Sequence, residues 1–463
     1  MYVRNRFRGK GIFPGIYYEP PASGGHMFEE VLVEQNKHWQ GTLYEKGIRR
    51  TIFSKAVSYI DNDFIISICG VRRAGKSFLL KQLINYLIQN QGIPPQNILF
   101  LNLEDPVFNF YKDDVTYMDK AYQDYLKLHN PTGKSYLFLD EVQFFKDWEV
   151  FVKSKFEKKN IKIVVTGSNS RLISADMATL LSGRTLVVNI LPFSFKEMLK
   201  AKEIDAEDNV SLINNKNRVK ILLDEFIMFG GFPQVVFESH RDIKKDILKN
   251  YYQNIFFNDI VPRFDIKKTQ EAEKLLYYLL SNVSSVFSYN TLSKMISLTD
   301  KTIKEYMGYF SQSLLLFQVD RFFPSVRRQI TSAKKIYGID NGLVNAIAFK
   351  ISENLGPLFE NSVAIDLLRK EMKFFYYLSA NKWEVDFFMP DSEDKLIQVS
   401  YELRHDKTRE RELNALTGAM KETGITESLV VTLDEEDEID NDGFRIRIIP
   451  AWKYFTSLPD VFL

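Results

Sequence analysis

Cysteine is almost absent from this chain: Cys69 is the single one among 463 residues. An intramolecular disulfide and a cysteine-cluster metal site are therefore excluded, and Cys69, at the end of an apolar run, reads as a small buried residue. No apolar run approaches the roughly 18 residues that a membrane span needs. The N-terminus also lacks the apolar core of a signal peptide, so no membrane partner and a cytoplasmic location are expected. Nor is there an excess of charge of either sign, with Lys plus Arg at 61 against Asp plus Glu at 60. No global basic field advertises nucleic acid, and any such surface must be a local patch. What is there is an ordinary globular composition, 45% hydrophobic and 26% charged, in a chain too long for one core. Several domains are expected.

The run Ile65-Ile66-Ser67-Ile68-Cys69 breaks into Gly70-Val71-Arg72-Arg73-Ala74-Gly75-Lys76-Ser77 and then into the helical pattern that begins at Phe78. Strand, glycine-bounded loop and helix in this order satisfy G-x-x-x-x-G-K-[ST] in the context that makes the motif meaningful. Backbone N–H groups from Gly70 to Phe78 must turn inward around phosphates, so a side chain at Gly75 would obstruct them. Lys76 supplies a point charge to the β- and γ-phosphates of ATP, and Ser77 opens the helix where its hydroxyl can ligate Mg²⁺.

Four large apolar residues in Ser135-Tyr136-Leu137-Phe138-Leu139 end in Asp140-Glu141. A buried parallel strand would carry Asp140 to the edge beside the P-loop to hold Mg²⁺, with Glu141 polarising the attacking water. A third core strand, Ile161 to Gly167, ends in Ser168-Asn169. Either residue suits a γ-phosphate sensor, and simple helix N-capping explains them as well. Arg184, between a helical stretch and the fourth strand Leu186 to Ile190, fits an arginine finger or a salt-bridged surface residue. Strands alternating with helices imply a parallel sheet covered on both faces.

Gly70 to Ser77, Leu139-Asp140-Glu141-Val142-Gln143, Thr166-Gly167-Ser168-Asn169-Ser170, Ser182-Gly183-Arg184 and Phe229-Gly230-Gly231-Phe232-Pro233 together resemble the prokaryotic AAA-type ATPases that carry a C-terminal domain of unknown function related to PD-(D/E)xK nucleases. The resemblance covers nearly everything after about residue 45. It implies a multidomain α/β protein: an N-terminal extension and helix (1–45), a P-loop NTPase core (46–205), a helical lid (206–265), a winged helix (266–330) and a restriction-endonuclease-like α/β domain (331–463). In related signalling ATPases a Gly-x-Pro segment contacts adenine, which would place Pro233 on the nucleotide; a helix-terminating turn is the plainer alternative. Arg263 resembles a nucleotide-sensing residue, and an ion pair with Asp259 explains it equally.

Residues 1–26, rich in turn formers, read as a flexible extension with Met27 as an alternative start. The stretch from Phe28 to about Ile60 reads as helical. In the winged-helix region Thr299 or Asp300 caps a helix whose inward stripe is Ile303, Tyr306, Met307 and Phe310. Lys301, Lys304 and Tyr309 are left facing a groove, and DNA and protein partners both remain open. Glu360 on a helix, Asp386 in the next strand and Leu396 to Ser400 after it form the nuclease skeleton that the resemblance implies. The tripeptide that should read acidic-x-Lys reads Gln398-Val399-Ser400, with Lys382 and Lys395 as the lysines that could have migrated. Little or no cleavage is expected. The acidic run Asp434 to Glu438 reads as a solvated loop. The expectation is an ATP-hydrolysing switch or remodelling ATPase acting on DNA or protein, with a homo-oligomer allowed. The alternatives are an ATP-gated nuclease in DNA processing or defence, and a nucleotide-binding scaffold without turnover.

Overall fold

The computed structural model describes residues 27–158, 160–168, 183–206, 208–348, 355–392, 395–441 and 443–456. The apolar runs become five strands: β1 (Ile65–Cys69), β2 (Ile98–Asn102), β3 (Ser135–Asp140), β4 (Ile161–Gly167) and β5 (Thr185–Asn189). They form one parallel sheet in the order β2-β3-β4-β1-β5. β1 and β3 are buried at every position, as expected for strands covered on both faces. The helix Lys76–Asn90 buries Leu79, Leu80, Leu83, Ile84 and Leu87, a helical spacing that turns one stripe to the sheet. This is the P-loop NTPase fold, and it brings the ends of β1, β3 and β4 to one edge.

The stretch from Phe28 to Ile60 is helical only in pieces, Glu29–Gln35, Lys37–Gln40 and Phe53–Ser58. Between them the chain is irregular because the P-loop helix takes up its backbone groups. Asn85 exchanges hydrogen bonds with Tyr44 N and O at 3.1 and 2.8 Å, and Gln82 Nε2 donates to Ile48 O at 2.9 Å. Side-chain amides do here what a helix would otherwise do for those backbone groups.

After β5 come the helices Phe195–Ala201, Asn209–Asn214, Lys216–Phe229, Pro233–Phe237 and Arg241–Gln253, the last running into a π-helical stretch, Asn254–Ile260. The middle region alternates the helix Thr269–Ser281, β6 (Val286–Phe287), the helices Tyr289–Ile296 and Asp300–Gln312, β7 (Leu316–Asp320) and β8 (Lys334–Gly338). Its three strands pair antiparallel in the order β6-β8-β7. Thr299 Oγ1 accepts from Thr302 N at 3.2 Å and caps the second of those helices. Ile303, Tyr306, Met307 and Phe310 are buried, and Lys301 and Lys304 are exposed. Tyr309 departs from expectation: it stacks on Phe264 with ring centroids 4.1 Å apart and is not on the groove face.

The rear sheet has the order β13-β14-β12-β11-β10-β9, from β9 (Phe375–Leu378), β10 (Glu384–Phe388), β11 (Leu396–Ser400), β12 (Glu427–Thr432), β13 (Asp437–Asn441) and β14 (Phe444–Pro450). β9, β10 and β11 are antiparallel neighbours, β11 and β12 are parallel, and the helices Gly356–Arg369 and Asp406–Thr423 flank them. The acidic run 434–438 is not simply a solvated loop: it enters β13, and Lys220, Lys453, Arg409 and Arg445 pair with Asp434, Glu436, Asp437 and Glu438. One apolar core runs continuously from the P-loop helix through all of these regions to Phe455. Among the described residues no helix is long and apolar enough to cross a membrane.

Candidate functional site

The P-loop leaves β1 and closes on the helix at Gly75, whose φ of +102° lies where only glycine is unstrained. Its shape is held from outside. Arg50, buried, donates from Nη1 to Ala74 O at 2.8 Å, from Nη2 to Leu191 O at 2.6 Å and from Nε to Glu197 Oε1 at 3.0 Å. Glu197 also accepts from Thr51 N and Ser194 N at 2.7 and 2.9 Å. Burial alone would raise the Glu197 carboxyl, but Arg50, Arg369 and these hydrogen bonds outweigh it and hold it at about 2.

At the sheet edge the catalytic candidates meet. Lys76, 2% exposed, places Nζ 3.1 Å from Glu141 Oε1 and donates to Gly70 O at 3.2 Å. Glu141 adopts φ 56°, ψ 51° at the end of β3, a left-handed conformation uncommon for a residue with a side chain and concentrated at functional sites. Thr166 anchors the turn, accepting from Glu141 N at 2.9 Å and donating to Asp140 Oδ1 at 2.5 Å. The Ser77 hydroxyl donates to Asp140, whose carboxyl is raised by burial and by the Glu141 charge, with both hydroxyls opposing. Burial also pushes Glu141 up, but Lys76, Gln143 and Arg72 overcome it, so this carboxyl stays below its ordinary value and ionised. Gln143 Nε2 donates to Glu141 Oε2 at 2.5 Å and to Ser168 Oγ at 3.3 Å.

These groups open into a cavity of about 650 Å³. Its lining includes charged and polar groups, Arg72, Arg73, Lys76, Ser77, Glu104 and Glu141, and the apolar and aromatic side chains Ile48, Phe78, Phe193, Pro233, Phe237 and Tyr251, with the Arg73 guanidinium 5.9 Å over the Tyr251 ring. Arg72 crosses the mouth, donating to Asp259 Oδ1 at 3.0 Å and pairing with Glu104. Among the described residues no group of three or more His, Cys, Asp or Glu side chains is arranged to hold a metal ion. Ser77 lines the cavity and its hydroxyl bonds the buried Asp140 carboxylate, and these two hard oxygen donors are a set that suits Mg²⁺ shared with phosphate and water.

The structure thus brings Arg72, Arg73, Gly75, Lys76, Ser77, Phe78, Glu141 and Pro233 to the cavity wall, with Gly70, Val71, Ala74, Asp140 and Ser168 buried next to them, in the chain or through the Thr166 and Gln143 hydrogen bonds. It does not bring Arg184 there. Arg184 O accepts from Ile65 N, at the start of β1, five residues or roughly 16 Å from the loop, and its guanidinium lies 5.6 Å over the Phe156 ring. Asn169 lies outside the described residues. Arg263 is near Asp259 and favours its charged form, but the stronger partner of Asp259 is Arg72. The sequence does not single out Arg50, Thr166 or Gln143, although Thr166 and Gln143 stand inside the quoted motifs, and it offers Asp259 only as a partner for Arg263.

A second cluster lies in the rear sheet. Glu360 and Asp386 do meet, together with Glu384, but around a lysine that was not anticipated. Lys335 of β8, 1% exposed, sits with Nζ 2.8, 2.7 and 2.9 Å from Glu360, Glu384 and Asp386. Lys382 and Lys395 are exposed. Gln398 Oε1 accepts from Asp386 N at 3.2 Å and its Nε2 donates to Glu412 at 2.6 Å, while Ser400 Oγ donates to Glu402 O at 3.1 Å. Burial and the Asp386 charge raise Glu360 to about 8, and Tyr337 donates to it at 2.6 Å.

Comparison with known proteins places this geometry in a family. Residues 62–199 match a family described as an AAA domain, and residues 220–354 match a domain of unknown function. An uncharacterized protein of Methanocaldococcus jannaschii is 31% identical over 443 residues, covering 92% of this chain and 95% of that one. An uncharacterized protein of Haemophilus influenzae is 31% identical over 413 residues, covering 87% and 98%. Among solved structures the chain is similar to the Orc1 protein of Aeropyrum pernix in complex with DNA (TM-score 0.30, 10% identity, 64% of this chain and 91% of that one). It is also similar to AMPPCP-bound DnaA from Aquifex aeolicus (TM-score 0.25, 16% identity, 59% and 90%). At these scores the assignment rests on the sequence relatives. The chain belongs to the family of these archaeal and bacterial proteins, and within it residues 62–199 form an AAA-type P-loop ATPase domain.

Proposed function

We propose that the chain is an ATP-hydrolysing switch in which nucleotide state alters how the regions behind the ATPase core meet DNA or protein. The observation that carries this reading is the lining of the P-loop cavity, which joins charged groups suited to phosphates with aromatic side chains suited to a base. In it the P-loop N–H groups and Lys76 bind phosphate, Ser77 and Asp140 hold Mg²⁺, and Glu141 orients and deprotonates the attacking water. Mg²⁺ would supply neutralisation of the charge that develops on phosphate oxygens. Lys76 holds Glu141 ionised through their ion pair, and Gln143 fixes the carboxylate from the other side, so the base is charged and aimed before any water arrives. Thr166 keeps the two neighbouring carboxylates apart by bonding one side chain and the other backbone. ATP turnover of the full chain, with and without DNA, tests the reading; absence of turnover that matches the Glu141→Gln variant would favour a scaffold instead.

The order helix, strand, helix, helix, strand, strand over residues 269–338, with the short helix Val326–Thr331 between the last two strands, supports a winged helix. The antiparallel β9-β10-β11 unit followed by parallel β12 supports the nuclease-like reading of the rear domain. That domain is read as a binding module without cleavage. Lys335 places an ammonium among the carboxylates that would have to hold a divalent ion, and Gln398 is engaged with Glu412. The like charge of a metal and a buried ammonium on one set of oxygens is unfavourable by several kcal/mol at roughly 4 Å or closer. Metal-dependent cleavage of single-stranded, duplex or branched DNA that disappears in Asp386→Ala would overturn this.

A further inference from the structure

We infer that Asp340, which does not line the nucleotide cavity, is the positioning residue for its base-binding wall. The inference rests on the nucleotide reading of that cavity.

Asp340 follows β8 and is 3% exposed. Its two oxygens have separate tasks. Oδ1 accepts from Gly342 N and Leu343 N at 2.8 and 3.2 Å and so caps the helix Asn341–Ile347. Oδ2 accepts from Gly231 N at 2.7 Å, a contact across 109 residues. Gly231 is held on its other side as well, because its carbonyl accepts from Phe193 N at 2.6 Å. There is no slack in this arrangement: a Cβ on Gly231 would stand 2.1 Å from Phe193 O, and one on Gly230 would stand 2.2 Å from the Asp340 oxygens.

Phe193 and Pro233 are the two residues that this clamp immobilises, and both line the cavity. Phe232 between them is fully buried and packs edge-on against Tyr251 at 5.2 Å, and Tyr251, also in the wall, donates to Gln234 Oε1 at 2.7 Å. Displacing the Gly231 backbone therefore bears directly on Phe193 and Pro233, whereas the P-loop touches this clamp only through Arg50, which donates to Ala74 O and lies 4.9 Å over the Phe193 ring. Asp340 belongs to the segment that begins at Lys335 in the rear carboxylate cluster, so the base wall is fastened to the element that also fastens the rear domain.

The test separates base from phosphate recognition. Binding of Mg²⁺-ATP and of Mg²⁺-tripolyphosphate to the full chain is measured by calorimetry for wild type, Asp340→Ser, Asp340→Asn and Lys76→Ala. Serine keeps a hydroxyl for the helix cap but has no second oxygen for Gly231. Asparagine keeps its oxygen for the two cap N–H groups and presents an amide N–H to the Gly231 donor. Loss of one buried backbone hydrogen bond predicts about tenfold weaker ATP binding with tripolyphosphate binding unchanged. If Asp340→Ser does not fold, Asp340→Asn carries the same expectation without removing bulk. Unchanged ATP affinity in the folded variant, or equal losses for ATP and tripolyphosphate, would overturn the inference. Failure of the nucleotide reading looks different: wild type itself would bind neither compound better than Lys76→Ala.

Discussion

Replacing Arg50 by methionine separates the role of a buried ion pair in stability from its role in shaping the P-loop. The side chains of Arg50 and Glu197 are 4% and 2% exposed, so the change leaves a carboxylate in the interior with its main counter-charge removed. Breaking such a pair costs about 3–5 kcal/mol. The remaining hydrogen bonds from Thr51 and Ser194, and Arg369 at 3.8 Å, place the cost near the lower end, about 3 kcal/mol. Glu197→Gln alone leaves Arg50 its two carbonyl acceptors and should cost less. The double change to Met and Leu should recover part of the loss, which makes the coupling visible in a cycle of urea midpoints. The sign with pH follows from Glu197, whose carboxyl falls from 4.5 to about 2 on folding. Its contribution is present above pH 4.5 and is lost as the pH falls towards 2, so wild type and Arg50→Met should converge in stability at acid pH. ATP affinity should fall in Arg50→Met, because the Ala74 carbonyl loses its donor at the loop's outer side. Additive single changes, each under about 1 kcal/mol, would refute the reasoning.

Lys76→Ala should abolish measurable Mg²⁺-ATP binding and, because it leaves the ionised Glu141 carboxylate without its buried counter-charge, should also lower the urea midpoint, read by calorimetry and denaturation on the same samples. Glu141→Gln should retain ATP and reduce turnover by a hundredfold or more, since it removes the base without removing a metal ligand, whereas Asp140→Asn should weaken binding only when Mg²⁺ is present. Arg184→Ala should leave ATP affinity of the single chain unchanged, because its position is at the opposite end of β1; any effect on turnover should then depend on protein concentration. Glu360 keeps its proton to about 8 in the folded state against 4.5 unfolded, so stability should decline as pH rises from about 4.5 to 8, and Glu360→Gln should flatten that slope in thermal melts.

Whatever depends on contiguous chemistry was legible before folding was considered. The P-loop and the strand ending at Asp140-Glu141 are local statements, in which apolar residues bury a strand and the residues just past its end become the site. The inward stripe of the helix Asp300–Gln312 was legible for the same reason, since its period is internal to one helix. Tyr309 was not, because the face it lies on is chosen by Phe264, which belongs to another element. Arg50 carries no signal either: an arginine beside another arginine in a stretch that reads as helical looks exposed until Glu197, 147 residues away, is folded against it. Order along the chain leaves Arg184 open as a finger or a surface residue, and parallel pairing of β5 with β1 places it at the edge of the sheet away from its own chain's P-loop. Lys335 is the sharpest case. Near Asp386 in sequence the lysines at hand are Lys382 and Lys395, and both are exposed. The ammonium that reaches Glu360, Glu384 and Asp386 comes from β8, in a different sheet. Burying a charge requires a partner but places no limit on how far along the chain that partner lies, so the residues that fasten one region of this protein to another are those a linear reading is least able to find.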